Sequence, residues 1–407
     1  MLVTLSFAVF GVLLAREYRR PTLSAGAVLV ASAVFAAIAV ARPPHGSHDL
    51  WSYAMYGRIF AVHHHNPYVQ LPAAFPSDPI LSHVSRGWRH TGSYYGPGFT
   101  VLCAAIVSVT RDSALATRLA FQTMSAAALL GCGVVLSRIG VRRWVLIAVV
   151  LNPLVLITIV NGGHIDPLLA LLLLLATLAI DRERFALGAV ALAAALGIKA
   201  VMVLPVGAAV LWVWRRHGRR AGARVAVVAT APAIAGGVAF GGRKILRPLL
   251  GGARQLTRAS MWSLLTHVPG VSHHLGLAAV VVTGFVTLAL VATRIDSPSV
   301  ADAIAAGVIG YLIAAAYVLP WYLMWALPLA AIGTTSRTLR LVLVYTAAIA
   351  LAFAYHPTAH PDLVDRLLHA CVTATEVALL VTSAWVICAG AARLRAIVGS
   401  PIKGARA

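Results

Sequence analysis

Residues 144–180 read WVLIAVVLNPLVLITIV, then NGGHID, then PLLALLLLLATLAI. Neither flanking run holds a charged residue. A helix crossing the hydrocarbon core needs about 20 apolar residues, with a range of about 17–25. The run 144–160 meets that length and 166–180 sits at its short edge, so the stretch reads as two spans joined by a tight polar turn. A turn this short needs glycine, which Gly162 and Gly163 supply, but nothing structural demands His164 and Asp166 together.

Outward from this hairpin the same pattern repeats along all 407 residues. Hydrophobic residues make up 60% of the chain and charged residues 11%, with a mean hydropathy of +0.86. Soluble domains carry about 25% charged residues, which excludes a soluble globular enzyme. The formal charge of +21, from 33 Lys+Arg against 12 Asp+Glu, does not indicate a nucleic-acid binder. Such proteins gather basic residues on a polar face, whereas here they punctuate apolar runs. Disorder is excluded by the hydrophobicity. The four cysteines lie in or beside apolar runs without CxxC or Cys/His ligand spacing, so neither a disulfide framework nor a zinc site is expected. The expected fold is an all-α, polytopic transmembrane helix bundle forming one domain over 1–407.

Candidate spans are 2–15, 22–41, 114–137, 144–160, 166–180, 184–198, 200–214, 223–240, 274–293, 300–319, 321–334, 339–355 and 368–391, about thirteen in all. The first, beginning at Leu2 with no basic segment ahead of it, reads as a span rather than a removed signal peptide. The stretch 98–110 is too short to count and reads as a half-helix or membrane-surface helix. Lys and Arg concentrate in short cytoplasmic loops. Placing Arg16, Arg19 and Arg20 inside also puts inside 20 of the 33 basic residues, with the N-terminus outside and the C-terminus inside. A further span at 98–110 would invert every later loop and break that rule. Two long outer loops follow, 42–97 and 241–273, the first with helical character over Asp49–His64.

Few acidic residues exist, so each can be placed. Glu17, Asp181, Glu183, Asp296 and Asp302 fall inside, where they read as loop residues interleaved with arginine. Asp49, Asp78, Asp112, Asp166, Asp362 and Asp365 fall outside, and Glu376 lies in the last span. Carboxylate chemistry therefore favours the outer face. Asp49 opens a helical stretch on which Tyr53 and Tyr56 share its side; it serves as a chemical group or as a helix cap beside interface aromatics. Asp166-Pro167 is a site carboxylate or the start of the next helix. Lys199, between two apolar runs, is a cation for a phosphate or a lysine snorkelling to the interface. Arg243–Arg258, including Arg254, meets a phosphate head or anionic lipid. Trp321 and Tyr322, within Pro320–Trp325, form a stacking wall or an interface belt. His63-His64-His65 is a poor metal tract, because three consecutive imidazoles cannot face one ion from a helix.

Four of these segments, taken in order, resemble a known family. They are His48–Arg58 with Asn66-Pro67-Tyr68, then Tyr95-Gly96-Pro97, then Asn161–Asp166, then Pro320–Trp325. Together they are similar to the GT-C class of multi-span glycosyltransferases, and most closely to the actinobacterial polyprenol-phosphomannose-dependent α-mannosyltransferases. One departure is Ile165, where the family turn usually carries Asn.

The resemblance implies a multi-pass plasma-membrane enzyme that moves a sugar, most often mannose, from a polyprenyl-phosphate donor to a glycan or glycolipid hydroxyl outside the cytoplasm. It implies inversion with Asp49 as general base and no cofactor, a divalent metal being left open. His48, Tyr53, Arg58, Tyr95, His164, Asp166, Lys199, Arg254, Trp321 and Tyr322 are then expected to bind substrate. The partners are the lipid donor, the acceptor and membrane lipids, with no nucleic acid. Other readings are an arabinofuranose transferase, a transporter or lipid flippase with midplane charges, and a membrane scaffold.

Overall fold

The computed structural model describes residues 2–245, 248, 255–258, 260–265, 275–354 and 363–398. The chain is all-α, and among the described residues no strand occurs. It divides into two compact units. The first comprises Met1–Leu175, Val190–Val201 and Val228–Leu250; the second comprises Ala176–Ala189, Met202–Val227 and Gly251–Ala407.

In the first unit, α1 (Leu2–Arg19) and α2 (Ala25–Ala41) lead into α3 (Asp49–Ala61). Ser24 caps α2 by accepting the Ala27 amide. Every residue of α3 from Leu50 to Ile59 is buried. It packs along α4 (Pro97–Thr110), while α2 packs along α5 (Ala114–Arg138). The expected helix Asp49–His64 stops at Ala61.

The expected span over 144–160 is present as Arg143–Val160, but its helix changes form midway. α6 (Arg143–Val150) ends before Asn152-Pro153, and Leu154–Val160 continues as a π-helix. Pro153 cannot donate an amide to the helical ladder. The wider coil carries into the turn, where the Asn161 amide donates to Leu156 O and the His164 amide to Ile159 O. Such π segments recur at functional sites. α7 (Asp166–Asp181) and α8 (Phe185–Ile198) follow.

The second unit holds α9 (Val203–His217) packed on the helix Val300–Ala314, with Leu275–Arg294 against both Val300–Ala314 and Leu363–Val398. Two expected spans are revised here. The helix over 300–319 ends at Ala314, and 321–334 is a 3-10 turn (Pro320–Trp325) followed by the short helix Leu327–Ile332. Pro320 holds Leu319 extended, so the helix cannot run through. Among the described residues six helices are long and apolar enough to cross a membrane, and five shorter apolar helices accompany them.

The acidic residues read as cytoplasmic make local structural contacts where bonds are seen. Asp181 accepts the Val300 amide and the Ser299 hydroxyl, Asp302 binds Ser297 and Thr334, and Asp296 pairs with Arg215 and Arg393.

Candidate active site

The first unit gathers Asp49, Tyr53, Tyr95, His164, Asp166 and Lys199. Asp49 is the first residue of α3, where its amide donates to Ser47 Oγ at 3.2 Å. Its side chain is 14% exposed, so the carboxylate still reaches solvent. Burial pushes its pKa up to about 6; the charge of Lys199 opposes that rise and Asp166 adds to it.

The turn after the π-helix delivers His164. Gly163 takes a positive φ of 63°, and a methyl group at Gly162 would lie 2.6 Å from His164 Cδ2 and from Thr158 O. Only glycine lets the ring fold back here. His164 is fully buried, with Nδ1 3.7 Å from Asp49 Oδ2 and 3.5 Å from Tyr53 Oη. Burial first, and then Lys199, push its imidazole down to about 3, so it faces Asp49 as a neutral group. Tyr95 Oη donates to Tyr53 Oη at 3.3 Å, and burial holds the Tyr95 phenol well above its ordinary range.

Asp166 begins α7 and Lys199 follows α8. Their side chains meet at 3.0 Å, both buried. Tyr95 is brought beside this pair because the Gly96 amide donates to Ile198 O at 2.8 Å and Gly96 lies against the Gly197 carbonyl, a contact with no room for a side chain. The Lys199 ammonium sits 5.7 Å from the centroid of the Tyr95 ring. A carboxylate of raised pKa, a neutral imidazole and a buried ammonium thus share one end of the unit. That set can take up a proton and hold an anion.

The remaining expected site residues are placed differently. Arg58 is buried; its Nε contacts both oxygens of Asp78 at 2.9 and 2.7 Å, and its Nη2 reaches Asp112 at 2.7 Å. Burial alone would raise the Asp78 carboxyl, but Arg58 and His63 outweigh it and hold it below the usual range. His63 is therefore committed to Asp78, at 2.7 Å, and stacked on Phe75. Tyr56 shares α3 with Asp49 but donates to Thr91 O. His48 is exposed, its Nδ1 3.4 Å from His83 O. Trp321 and Tyr322 are buried in the second unit among aromatics, Tyr322 stacked on Trp325 at 4.4 Å. Arg254 lies outside the described residues.

Sequence reasoning missed Asn161 and Gln122. The Asn161 amide group donates to the carbonyls of Ala39, Arg42 and Pro43, and its Oδ1 accepts the His45 amide. Gln122 bridges the Asn161 and Arg42 carbonyls. Together they fasten the turn to the segment leading into Asp49. The available signal was the Asn at the head of the Gly-Gly-His turn; Gln122, one of several polar residues in α5, carried none.

A family model for "Alpha-(1->6)-mannopyranosyltransferase, N-terminal domain" matches residues 1–216, which contain all six of these site residues. The chain is 28% identical over 182 residues to alpha-(1->6)-mannopyranosyltransferase A of Corynebacterium glutamicum. That match covers 43% of this chain and 36% of the relative.

Proposed function

This chain belongs to the alpha-(1->6)-mannopyranosyltransferase family, and from that premise we propose that it is a membrane glycosyltransferase. It moves mannose from a polyprenyl-phosphate donor to a hydroxyl of a cell-envelope glycan or glycolipid, at the extracytoplasmic face of the plasma membrane. The observation that carries this reading is the Asp49 carboxylate, partly open to solvent and set against neutral His164 beside the Lys199–Asp166 pair.

Asp49 takes the proton from the acceptor hydroxyl. The freed oxygen pair attacks the anomeric carbon, and the bond from that carbon to the phosphate oxygen breaks with its electrons leaving on the phosphate. One base suffices for such a single displacement, with inversion, unlike the two carboxylates of glycosidases. Lys199 offers its charge to the departing phosphate. Neutral His164 faces Asp49 at 3.7 Å without competing for its proton, and Tyr53 and Tyr95 present hydroxyls to the sugar. Between the two outer carboxylates, Asp49 is favoured as base because Asp166 is fully buried and already bonded to a cation.

The test is transfer from radiolabelled polyprenyl-phosphomannose by purified protein in lipid, wild type beside Asp49→Asn and Asp166→Asn. Asp49→Asn is expected to lose roughly 10²–10⁴-fold in rate. Wild-type rates in Asp49→Asn would end the base assignment. Transfer only from polyprenyl-phosphoarabinose would change the sugar, and none from either donor would end the transferase reading.

A further inference from the structure

Five arginines fall within the ten residues 215–224, and no acidic residue interrupts them. They surround the turn between α9 and the next helix, α10 (Arg219–Ala239), which the chemistry above does not use. The turn is tightly built. Gly218 takes a positive φ of 87°, and the two helices touch where a methyl group at Gly222 would lie 2.7 Å from Trp214 Cβ. Trp212 is fixed separately, its indole N–H donating to Ser297 O at 3.0 Å.

Two of the guanidinium groups lie over these indoles. Arg216 sits 5.5 Å from the Trp212 ring centroid, and Arg219 sits 5.6 Å from that of Trp214. A guanidinium drawn to a ring face in this way spends none of its five N–H donors on a carboxylate. The carboxylate near the turn is already taken, since Asp296 pairs with Arg215 at 3.4 Å and with Arg393 at 2.5 Å. Arg216, Arg219, Arg220 and Arg224 are exposed, and none has an acidic partner within ion-pair distance among the described residues. Arg220 and Arg224 stand four residues apart on α10, a like-charge spacing that disfavours the helix until an anion neutralises it.

The surface turns apolar on both sides of the cluster. Leu211, four residues before it on α9, is 44% exposed, and Val227, three residues after it on α10, is 63% exposed. Unneutralised cations flanked by open aliphatic surface fit an amphiphile, whereas a free anion would use the arginines alone. Short basic loops of this kind mark the cytoplasmic side, and such segments are attracted to anionic lipid headgroups.

We propose that the α9–α10 turn binds an anionic phospholipid, its phosphate held by Arg216, Arg219, Arg220 and Arg224 and its acyl chains lying along Leu211 and Val227. This site goes beyond the transferase reading and does not depend on it.

The experiment titrates the delipidated full chain in detergent with phosphatidylglycerol or phosphatidylcholine and counts bound lipid by native mass spectrometry. Phosphatidylglycerol is expected to bind and phosphatidylcholine is not. Arg216→Gln/Arg219→Gln should weaken phosphatidylglycerol binding by about thirtyfold, the loss that removing two such cations predicts. Arg220→Gln/Arg224→Gln relieves the like-charge spacing on α10, should weaken binding similarly, and covers the case in which the first variant fails to fold. Arg337→Gln/Arg340→Gln removes the same charge from another basic loop and should bind as wild type does. Equal binding of phosphatidylcholine, unchanged binding in a folded turn variant, or an equal loss in the Arg337/Arg340 variant would overturn the proposal. Displacement of phosphatidylglycerol by an equal concentration of inorganic phosphate would overturn it as well, by showing a site for a free anion.

Discussion

The ammonium of Lys199 lies 3.0 Å from Oδ1 of Asp166, and the two meet as a buried ion pair between the start of α7 and the end of α8. Removing one partner of such a pair leaves an uncompensated buried charge, at a cost of about 3–5 kcal/mol. Lys199→Met and Asp166→Asn should each lower the thermal midpoint in detergent. The double variant Lys199→Met/Asp166→Asn should lose much less than the sum of the two. Strict additivity would show that the pair is not energetically coupled.

Asp49 must be ionised to accept a proton, and its folded pKa is raised to about 6. The transfer rate kcat/KM is therefore expected to be low in acid and to rise as pH increases through about 6. The charge of Lys199 holds the Asp49 pKa below the value burial alone would set. Residual activity in Lys199→Met should thus show its rise at higher pH. A rise displaced toward acid in that variant would contradict the electrostatics described here.

Gly162 is the position where an added methyl group meets His164 Cδ2 and Thr158 O, each at 2.6 Å. One contact is a backbone oxygen of the π-helix, which cannot swing aside. Gly162→Ala should cost roughly 1–3 kcal/mol of stability by overpacking and lower kcat by displacing His164 from Asp49. Unchanged transfer with an unchanged melting point would show that the turn relaxes freely.

Arg58 has two acidic partners in different surroundings. Asp78 is fully buried, whereas the Asp112 side chain is 75% exposed. Asp78→Ala should therefore destabilise by about 3–5 kcal/mol, and Asp112→Ala by about 1 kcal/mol or less. Chemical denaturation midpoints of the two variants decide this. Similar losses would mean that Arg58 is held mainly by packing.

The sequence alone determined the class of the protein. Whether a segment enters a bilayer depends on its own run of apolar residues, and most helix limits followed from that local property. Examples are 25–41 for α2 and 185–198 for α8, against expectations of 22–41 and 184–198. It also marked the turn 161–166 and Asp49 as the segments with chemistry to explain. Breaks at Asn152-Pro153 and Ala315–Leu319 were less legible, because hydropathy averages over a proline that the hydrogen-bond ladder does not tolerate.

Only the tertiary structure decided which polar side chains meet. Asp49 faces a histidine 115 positions away, Lys199 closes on Asp166, and Arg58, chemically as fit to meet a phosphate, is consumed by Asp78 and Asp112. The reason is physical. A buried polar group must find a partner, and which partner packing brings within 3–4 Å is a property of helix placement that residue spacing does not encode.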